Sequence, residues 1–188
     1  SAGPPDYCFP VHIGRLHRWN VTPREAAAIQ GRLAARVVLR PPPGFRPRRV
    51  AGVDGAYREG RVFAATVVLR LPGLEEVERA LASMEVPFPY VPGLLSFREA
   101  PAFARALRRL RSSPDLLLVD GHGIAHPRRM GLACHLGLLA GIPTAGVAKS
   151  VRVGEFEPPG SAAGSASPLV HRGETVGAAL RLREGGNP

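Results

Sequence analysis

Two short apolar runs stop abruptly at an aspartate: Arg49-Val-Ala-Gly-Val-Asp54 and Leu116-Leu-Leu-Val-Asp120-Gly-His-Gly. A β-branched or leucine-rich run broken by a polar residue and glycine reads as a buried strand whose last residue emerges at the carboxyl edge of a sheet. A chain with two such ends has to build a sheet that carries acids along one rim, where they reach solvent. A third acid, Glu99, lies between them in Ser96-Phe-Arg-Glu99-Ala-Pro. Taken singly, Asp54 or Asp120 reads most simply as a turn former at a strand end; two such ends flanking one sheet weigh against that.

Three carboxylates brought to one spot repel each other at neutral pH, so the cluster requires neutralising cations. Oxygen-only ligation selects a hard ion such as Mg²⁺. The formal net charge of +10 and a sequence pI near 11.2 point to a polyanionic partner, because clustered guanidinium groups neutralise phosphates and release counterions. Together these features read as a metal-dependent nuclease. Of the 25 Lys and Arg residues only Lys149 is a lysine. A retained lysine suggests a task for a compact ammonium on a flexible stem.

At 188 residues and 45% hydrophobic content the chain can bury one substantial core, and a single domain is expected. No apolar run is long enough to span a bilayer, and Pro4, Pro5, Asp6 and Pro10 break the amino terminus, so neither signal peptide nor membrane partner is expected. Two cysteines, Cys8 and Cys134, argue against a disulfide framework and suit a reducing, cytoplasmic setting. Cys134 and His135 are helical neighbours about 100° apart, so a thiol–imidazole pair is not expected.

Thr22-Pro-Arg-Glu25 is a capping box with proline at the first helical position, opening a helix to about Val38, where Pro41-Pro-Pro-Gly44 forbids continuation. Residues 49 to 54, 61 to 71 and 74 to 86 read as an antiparallel meander. The stretch 87 to 93 is too rich in proline for helix or central strand and must be an exposed, stiffened loop. Helices are expected from about 97 to 111 and 129 to 140, with strands to Asp120 and over 144 to 147. A glycine- and serine-rich loop and a hairpin near 169 to 183 complete the chain. This is an α/β, ribonuclease-H-like arrangement: a mixed central sheet with an antiparallel meander and helices on both faces.

Three segments carry a resemblance. Tyr90-Val-Pro-Gly-Leu-Leu-Ser-Phe-Arg-Glu99, Asp120-Gly-His-Gly-Ile-Ala-His126-Pro-Arg-Arg-Met-Gly-Leu-Ala-Cys-His135 and Ile142-Pro-Thr-Ala-Gly-Val-Ala-Lys149-Ser150 resemble the defining segments of the endonuclease V family, deoxyinosine 3′ endonucleases, from about residue 22 to the end. The resemblance implies a Mg²⁺-dependent nuclease, with Mn²⁺ able to substitute, that cuts the second phosphodiester bond 3′ to hypoxanthine and leaves a 3′-hydroxyl and a 5′-phosphate. The implied partner is double- or single-stranded DNA carrying deaminated bases, and also inosine-containing RNA, met by a monomer.

By position, Asp54, Glu99 and Asp120 become the acidic metal site, His126 a catalytic or phosphate-orienting group, and Arg98, Lys149 and Ser150 phosphate contacts. The loop Pro89, Tyr90, Val91 and Pro92 becomes a wedge that fills the stack left by a flipped base, and Gly93, Leu95, Gly121 and Leu132 a largely backbone base pocket. A poorly paired base costs less to extrude, which favours lesions. From the residues alone, Ser96-Phe-Arg-Glu99 favours a capping box, and the resemblance reverses that reading. Tyr90 has a competing reading as an aromatic lid on the core, but its proline flanks favour display; His122 and His135 read as structural.

The family continues with a further strand, a Ser-Pro-Gly-His segment with another acid near the metal, and a carboxy-terminal helix, whereas this chain stops at Gly185-Gly-Asn-Pro188, so it reads as truncated or as an unusually short member. Two other functions therefore stay open: a form that binds inosine-containing nucleic acid without cleaving it, and a different ribonuclease-H-like nuclease indifferent to hypoxanthine.

Overall fold

The computed structural model describes residues 10–188, so Cys8, Pro4, Pro5 and Asp6 lie outside the described residues. Helix α1 spans Pro23–Ala34, and strands β1, β2 and β3 span Arg49–Arg58, Arg61–Arg70 and Glu75–Glu85. Helix α2 (Leu95–Leu107), strand β4 (Leu116–Asp120), helix α3 (Leu132–Ala140) and strand β5 (Thr144–Val147) follow, and β6 (Ala166–His171) and β7 (Glu174–Leu180) close the chain as a separate hairpin. The main sheet runs β3-β2-β1-β4-β5, antiparallel through the meander and parallel at β1-β4 and β4-β5. This is the mixed central sheet expected from the strand pattern.

Alternation decides how the sheet is covered. Ala51 and Val53 of β1, Val62, Ala64 and Val68 of β2, and Leu117 and Val119 of β4 are buried beneath Phe103 and Leu107 of α2 and Leu136 and Leu139 of α3. A second apolar cluster packs Ala26, Ile29 and Leu33 of α1 on Phe88, Leu94, Phe97 and Met130, so α1 stacks against the start of α2 and the segment before α3, not against the sheet. Beside it Trp19, His17, Phe97 and His135 pack ring against ring. Helices were expected on both faces. Among the described residues they cover one, and the other exposes Leu81 (64%), Val147 (53%) and Phe63 (42%).

Several boundaries differ from the sequence reading. The Thr22–Glu25 capping box forms with both hydrogen bonds, yet α1 ends at Ala34. Its last turn tightens, with Arg36 N and Val37 N donating three residues back, and the β-branched pair Val37-Val38 does not prolong it. Helix α2 likewise stops at Leu107 and tightens through Arg109 and Leu110, while α3 begins only at Leu132 because Arg129 adopts φ 54.

The consequential difference is in β1. Asp54 is not the end of this strand, since β1 continues to Arg58 through pairing with β2 as far as Arg58↔Arg61. The hairpin closes through Glu59 and Gly60, both at positive φ (50 and 73), the two-residue turn whose twist suits right-twisted strands. What ends near Asp54 is its parallel neighbour: the last β1-β4 pair is Val53↔Val119.

Candidate metal and nucleic-acid site

One residue beyond that last pair, β1 and β4 present Asp54 and Asp120 side by side at the step where one side of β1 loses its neighbour. Asp54 is exposed, and its Oδ1 accepts a 2.7 Å hydrogen bond from the Gly55 amide. Asp120 is half-buried, and its Oδ2 accepts a 2.8 Å hydrogen bond from Lys149 Nζ. The expected phosphate contact of Lys149 is thus made first to an acid of the site, because β5 runs parallel to β4 and carries the chain past its end to Lys149. Lys149 keeps its proton more tightly than a free lysine, through that hydrogen bond and the Asp120 charge.

Glu99 arrives from the first turns of α2. The capping-box reading does not hold: the helix cap is Leu94, it has no side-chain capping bond, and Ser96 is buried inside the first turn with its hydroxyl unpartnered. Glu99, 8% exposed, instead accepts a 2.8 Å hydrogen bond from the Tyr57 hydroxyl at the far end of β1. Burial raises its affinity for a proton, and the charges of Asp54 and Asp120 add to that, against the opposing Tyr57 hydrogen bond and Arg98. The three acids therefore share one electrostatic neighbourhood.

Among the described residues no three His, Cys, Asp or Glu side chains form a ready-made metal cage. One oxygen of each acid is turned to a protein donor: Gly55 N, Tyr57 Oη or Lys149 Nζ. The chemistry of the donor set nevertheless fits a hard divalent cation. It is all carboxylate oxygen, mutually repelling, and it already attracts an ammonium into its field.

Arg98 lies 4.7 Å from the centroid of the Tyr57 ring, while its Nη1 donates to Phe88 O at 2.9 Å. It therefore joins the proline-rich loop to the Tyr57–Glu99 pair, a use that the phosphate-contact expectation did not contain. In that loop Phe88 is buried, whereas Tyr90 is 70% exposed, flanked by exposed Pro89 and Pro92 and half-buried Val91. Its ring is displayed to solvent, as its proline flanks implied. Ser150 is exposed, and its carbonyl accepts from His122 Nε2 at 2.8 Å.

The four residues expected to form a base pocket come from two parts of the chain. Gly93 (φ 81) and Leu95 end the loop and open α2; Gly121 follows β4 and Leu132 opens α3. A Cβ on Gly121 would stand 3.1 Å from the Leu132 side chain, so these two are in contact. Next to them a Cβ on Gly131 would lie 2.2 Å from His122 O and one on Gly146 2.4 Å from Gly121 O, so the backbones approach as only glycine allows.

His126 is 4% exposed and both ring nitrogens are engaged within the protein: Nε2 donates to Gly93 O at 3.0 Å and Nδ1 accepts from Arg128 N at 3.2 Å. It grips Gly93 and turns neither nitrogen to solvent. Burial lowers its pKa to about 4, so it is neutral at ordinary pH.

Sequence reasoning passed over Tyr57, Gln30 and Arg128. Tyr57 carried a weak signal, an aromatic three residues beyond Asp54. Gln30 carried none, since an amide on a helix is indistinguishable from a solvated residue until its partners are known.

A shallow groove of about 410 Å³ leads to the acids along the helix-free face, past Gly52, Val67 and Leu118. No helix of the described residues is long and apolar enough to cross a membrane.

Comparison with known proteins agrees with this architecture. The family model for Endonuclease V matches residues 31–188. The Endonuclease V of Myxococcus xanthus is 52% identical over 175 residues, covering 92% of this chain and 74% of that protein, and that of Roseiflexus castenholzii is 51% identical, covering 92% and 77%. The crystal structure of Endonuclease V from Streptomyces avermitilis superposes with a TM-score of 0.83 at 48% identity, covering 95% of this chain and 79% of that one. A Ciona intestinalis Endonuclease V, solved with a 24mer DNA containing an inosine, shares the fold at 23% identity, with a TM-score of 0.69 and coverage of 84% and 76%. Paired strand acids, a buried helix acid, a displayed tyrosine loop and a match over most of the length lead to one assignment: the chain belongs to the Endonuclease V family of nucleases.

Proposed function

We propose that this chain nicks DNA at the second phosphodiester bond 3′ to deoxyinosine in a divalent-cation-dependent reaction, leaving a 3′-hydroxyl and a 5′-phosphate, and that inosine-containing RNA is a second substrate. The observation that carries the reading is the meeting of Asp54 and Asp120 at the end of the β1-β4 pairing, within the field of buried Glu99. Asp54, Glu99 and Asp120 would hold Mg²⁺, or Mn²⁺ in its place. When bound, the cation supplies an acidified water and neutralises charge on the leaving oxygen, so no side-chain nucleophile is required.

The chain's own residues do the rest. Lys149, 88% exposed at its side chain, exchanges Asp120 for a substrate phosphate by small rotations of its stem. Gly93, Leu95, Gly121 and Leu132 receive the hypoxanthine through main-chain groups, and the Tyr90 ring occupies the vacated stack. Ser150 lies beside Lys149 to contact the backbone. The inosine-containing DNA bound by the Ciona relative supports the choice of lesion. The enzyme acts as a single chain on double- or single-stranded DNA, in the cytoplasm.

The test is an end-labelled duplex with one deoxyinosine, incubated with Mg²⁺ or chelator beside an undamaged control, using the parent chain, Asp54→Ala and Asp120→Ala. A Mg²⁺-dependent nick one nucleotide past the inosine's own 3′ phosphate, absent in both variants while binding survives, is expected. Wild-type rates in either variant refute the metal site. Inosine-specific binding with no nick by the parent refutes cleavage and leaves a recognition module; cleavage indifferent to inosine refutes the lesion assignment.

A further inference from the structure

A polar side chain buried to 1% exposure stands on α1, a helix the proposed reaction does not use. Gln30 Nε2 donates to Gly93 O at 3.1 Å and to Met130 O at 2.9 Å, and its Oε1 accepts from Arg128 Nε at 2.7 Å. Arg128 Nη2 and His126 Nε2 converge on the same Gly93 carbonyl at 2.8 and 3.0 Å, so that one oxygen receives three donors. Burying an amide without partners costs several times what a satisfied one does, and here both donors and the acceptor are used. Few neutral side chains can donate twice and accept once from one planar group.

The placement of the two carbonyls gives this network a function. Gly93 closes the Tyr90 loop and opens the segment containing Leu95. Met130 immediately precedes Gly131, the cap residue of α3, and Leu132. Gln30 is thus a strut between the two walls assigned above to the base pocket, anchored on a helix that packs on both. A pocket built from main-chain groups has no side-chain rotamers to adjust, so its selectivity depends on the separation of its walls, and misplacement of about 1 Å can cost a large factor.

We infer that Gln30 is a positioning residue that sets the width of the base slot and thereby selects hypoxanthine over other bases. The inference rests on the base pocket of the proposed function. It predicts an effect on discrimination between bases, not on the chemical step at Asp54, Glu99 and Asp120. Gln30→Glu is nearly isosteric and retains an acceptor for Arg128, but places a carboxylate oxygen against the Gly93 and Met130 carbonyls and pushes the walls apart. Gln30→Met keeps length and volume, removes every bond, and guards against a Glu variant that fails to fold.

The experiment measures kcat and KM on matched duplexes containing deoxyinosine, deoxyuridine or no lesion, for parent and both variants, with thermal melting alongside. The expected result is a fall of about tenfold or more in the ratio of kcat/KM for deoxyinosine over deoxyuridine in each folded variant, with maximal deoxyinosine cleavage at saturating substrate largely kept. An unchanged ratio in a folded variant while the parent discriminates overturns the inference alone. A parent that does not discriminate overturns the pocket reading and this inference with it. A proportional fall in activity on all substrates, with the ratio intact, shows a purely structural role and also overturns it.

Discussion

Lys149 Nζ stands 2.8 Å from Asp120 Oδ2, with β4 and β5 bringing together residues 29 positions apart. The only lysine of the chain is therefore the built-in counter-ion of the acidic site. Both side chains reach solvent, so the pair adds little to folding. Lys149→Ala is expected to leave the melting temperature almost unchanged while slowing single-turnover cleavage by roughly 100-fold, the scale of a lost charge contact to a transferring phosphate. Cleavage at the parent rate refutes the assignment.

Tyr57→Phe removes the hydrogen bond to Glu99 Oε1 and little else. That bond favours the ionised acid, and burial already raises its proton affinity, so the variant raises it further. Only the carboxylate binds a cation. The acidic limb of the rate profile should move to higher pH, and more Mg²⁺ should be needed at a fixed acidic pH. A superimposable profile in parent and variant argues against a positioning role for Tyr57.

The proposed cation binding would also leave a stability signature. A carboxyl whose folded proton affinity is raised stabilises the fold below its ordinary range and loses that contribution as pH rises through the raised value. Once ionised, Glu99 opposes folding through its burial and the charges of Asp54 and Asp120, and a bound cation would reverse this. Mg²⁺ at about 100 times its dissociation constant is expected to stabilise the protein by about 2.7 kcal/mol. The gain shrinks toward acid, and chelator removes it; equal melting curves with Mg²⁺ and with chelator at neutral pH contradict the site.

Tyr90 is 70% exposed and forms no part of either core cluster. Tyr90→Ala should therefore melt like the parent, yet lose most of its preference for inosine over undamaged duplex because nothing fills the vacated stack. Retention of the parental preference removes the wedge.

His126 and His135 make the fold sensitive to acid. Burial lowers their pKa values to about 4 and about 3, and His135 Nε2 lies 2.7 Å from His17 Nε2, where only one nitrogen carries a hydrogen. His17 Nδ1 donates to Arg18 O, so His135 is the donor between them. A base with a lowered folded pKa contributes stability above its ordinary value and gives it up as pH falls toward the folded one. Between pH 6.5 and about 4 each group costs about 1.4 kcal/mol per pH unit. Urea midpoints should fall steeply over that interval, and His135→Phe should flatten the slope. A slope identical to the parent's would assign acid sensitivity elsewhere.

Features encoded over a few neighbouring residues could be read directly from the chain. The capping box at Thr22 and Glu25, the meander, the β4 run ending at Asp120 and the displayed tyrosine between prolines all follow from local periodicity, caps and steric limits on φ. The same local evidence misplaced the end of β1, because Asp54-Gly55 is a break only on the side facing β4, while pairing with β2 carries the strand to Arg58. It also made Glu99 a helix cap, when the competing Tyr57 hydroxyl is 42 residues away.

What the sequence determined by itself was the set of acids, the strands and helices that carry them, and the family. What only the tertiary structure decided was how those groups meet. Lys149 reaches Asp120, Tyr57 orients Glu99, His126 turns inward to Gly93, and Gln30 ties Gly93 to Met130. The reason is physical: periodicity and capping are governed by neighbours within a turn or two, whereas the partner of a buried donor is set by sheet register and helix packing across dozens of residues, to which local pattern is blind.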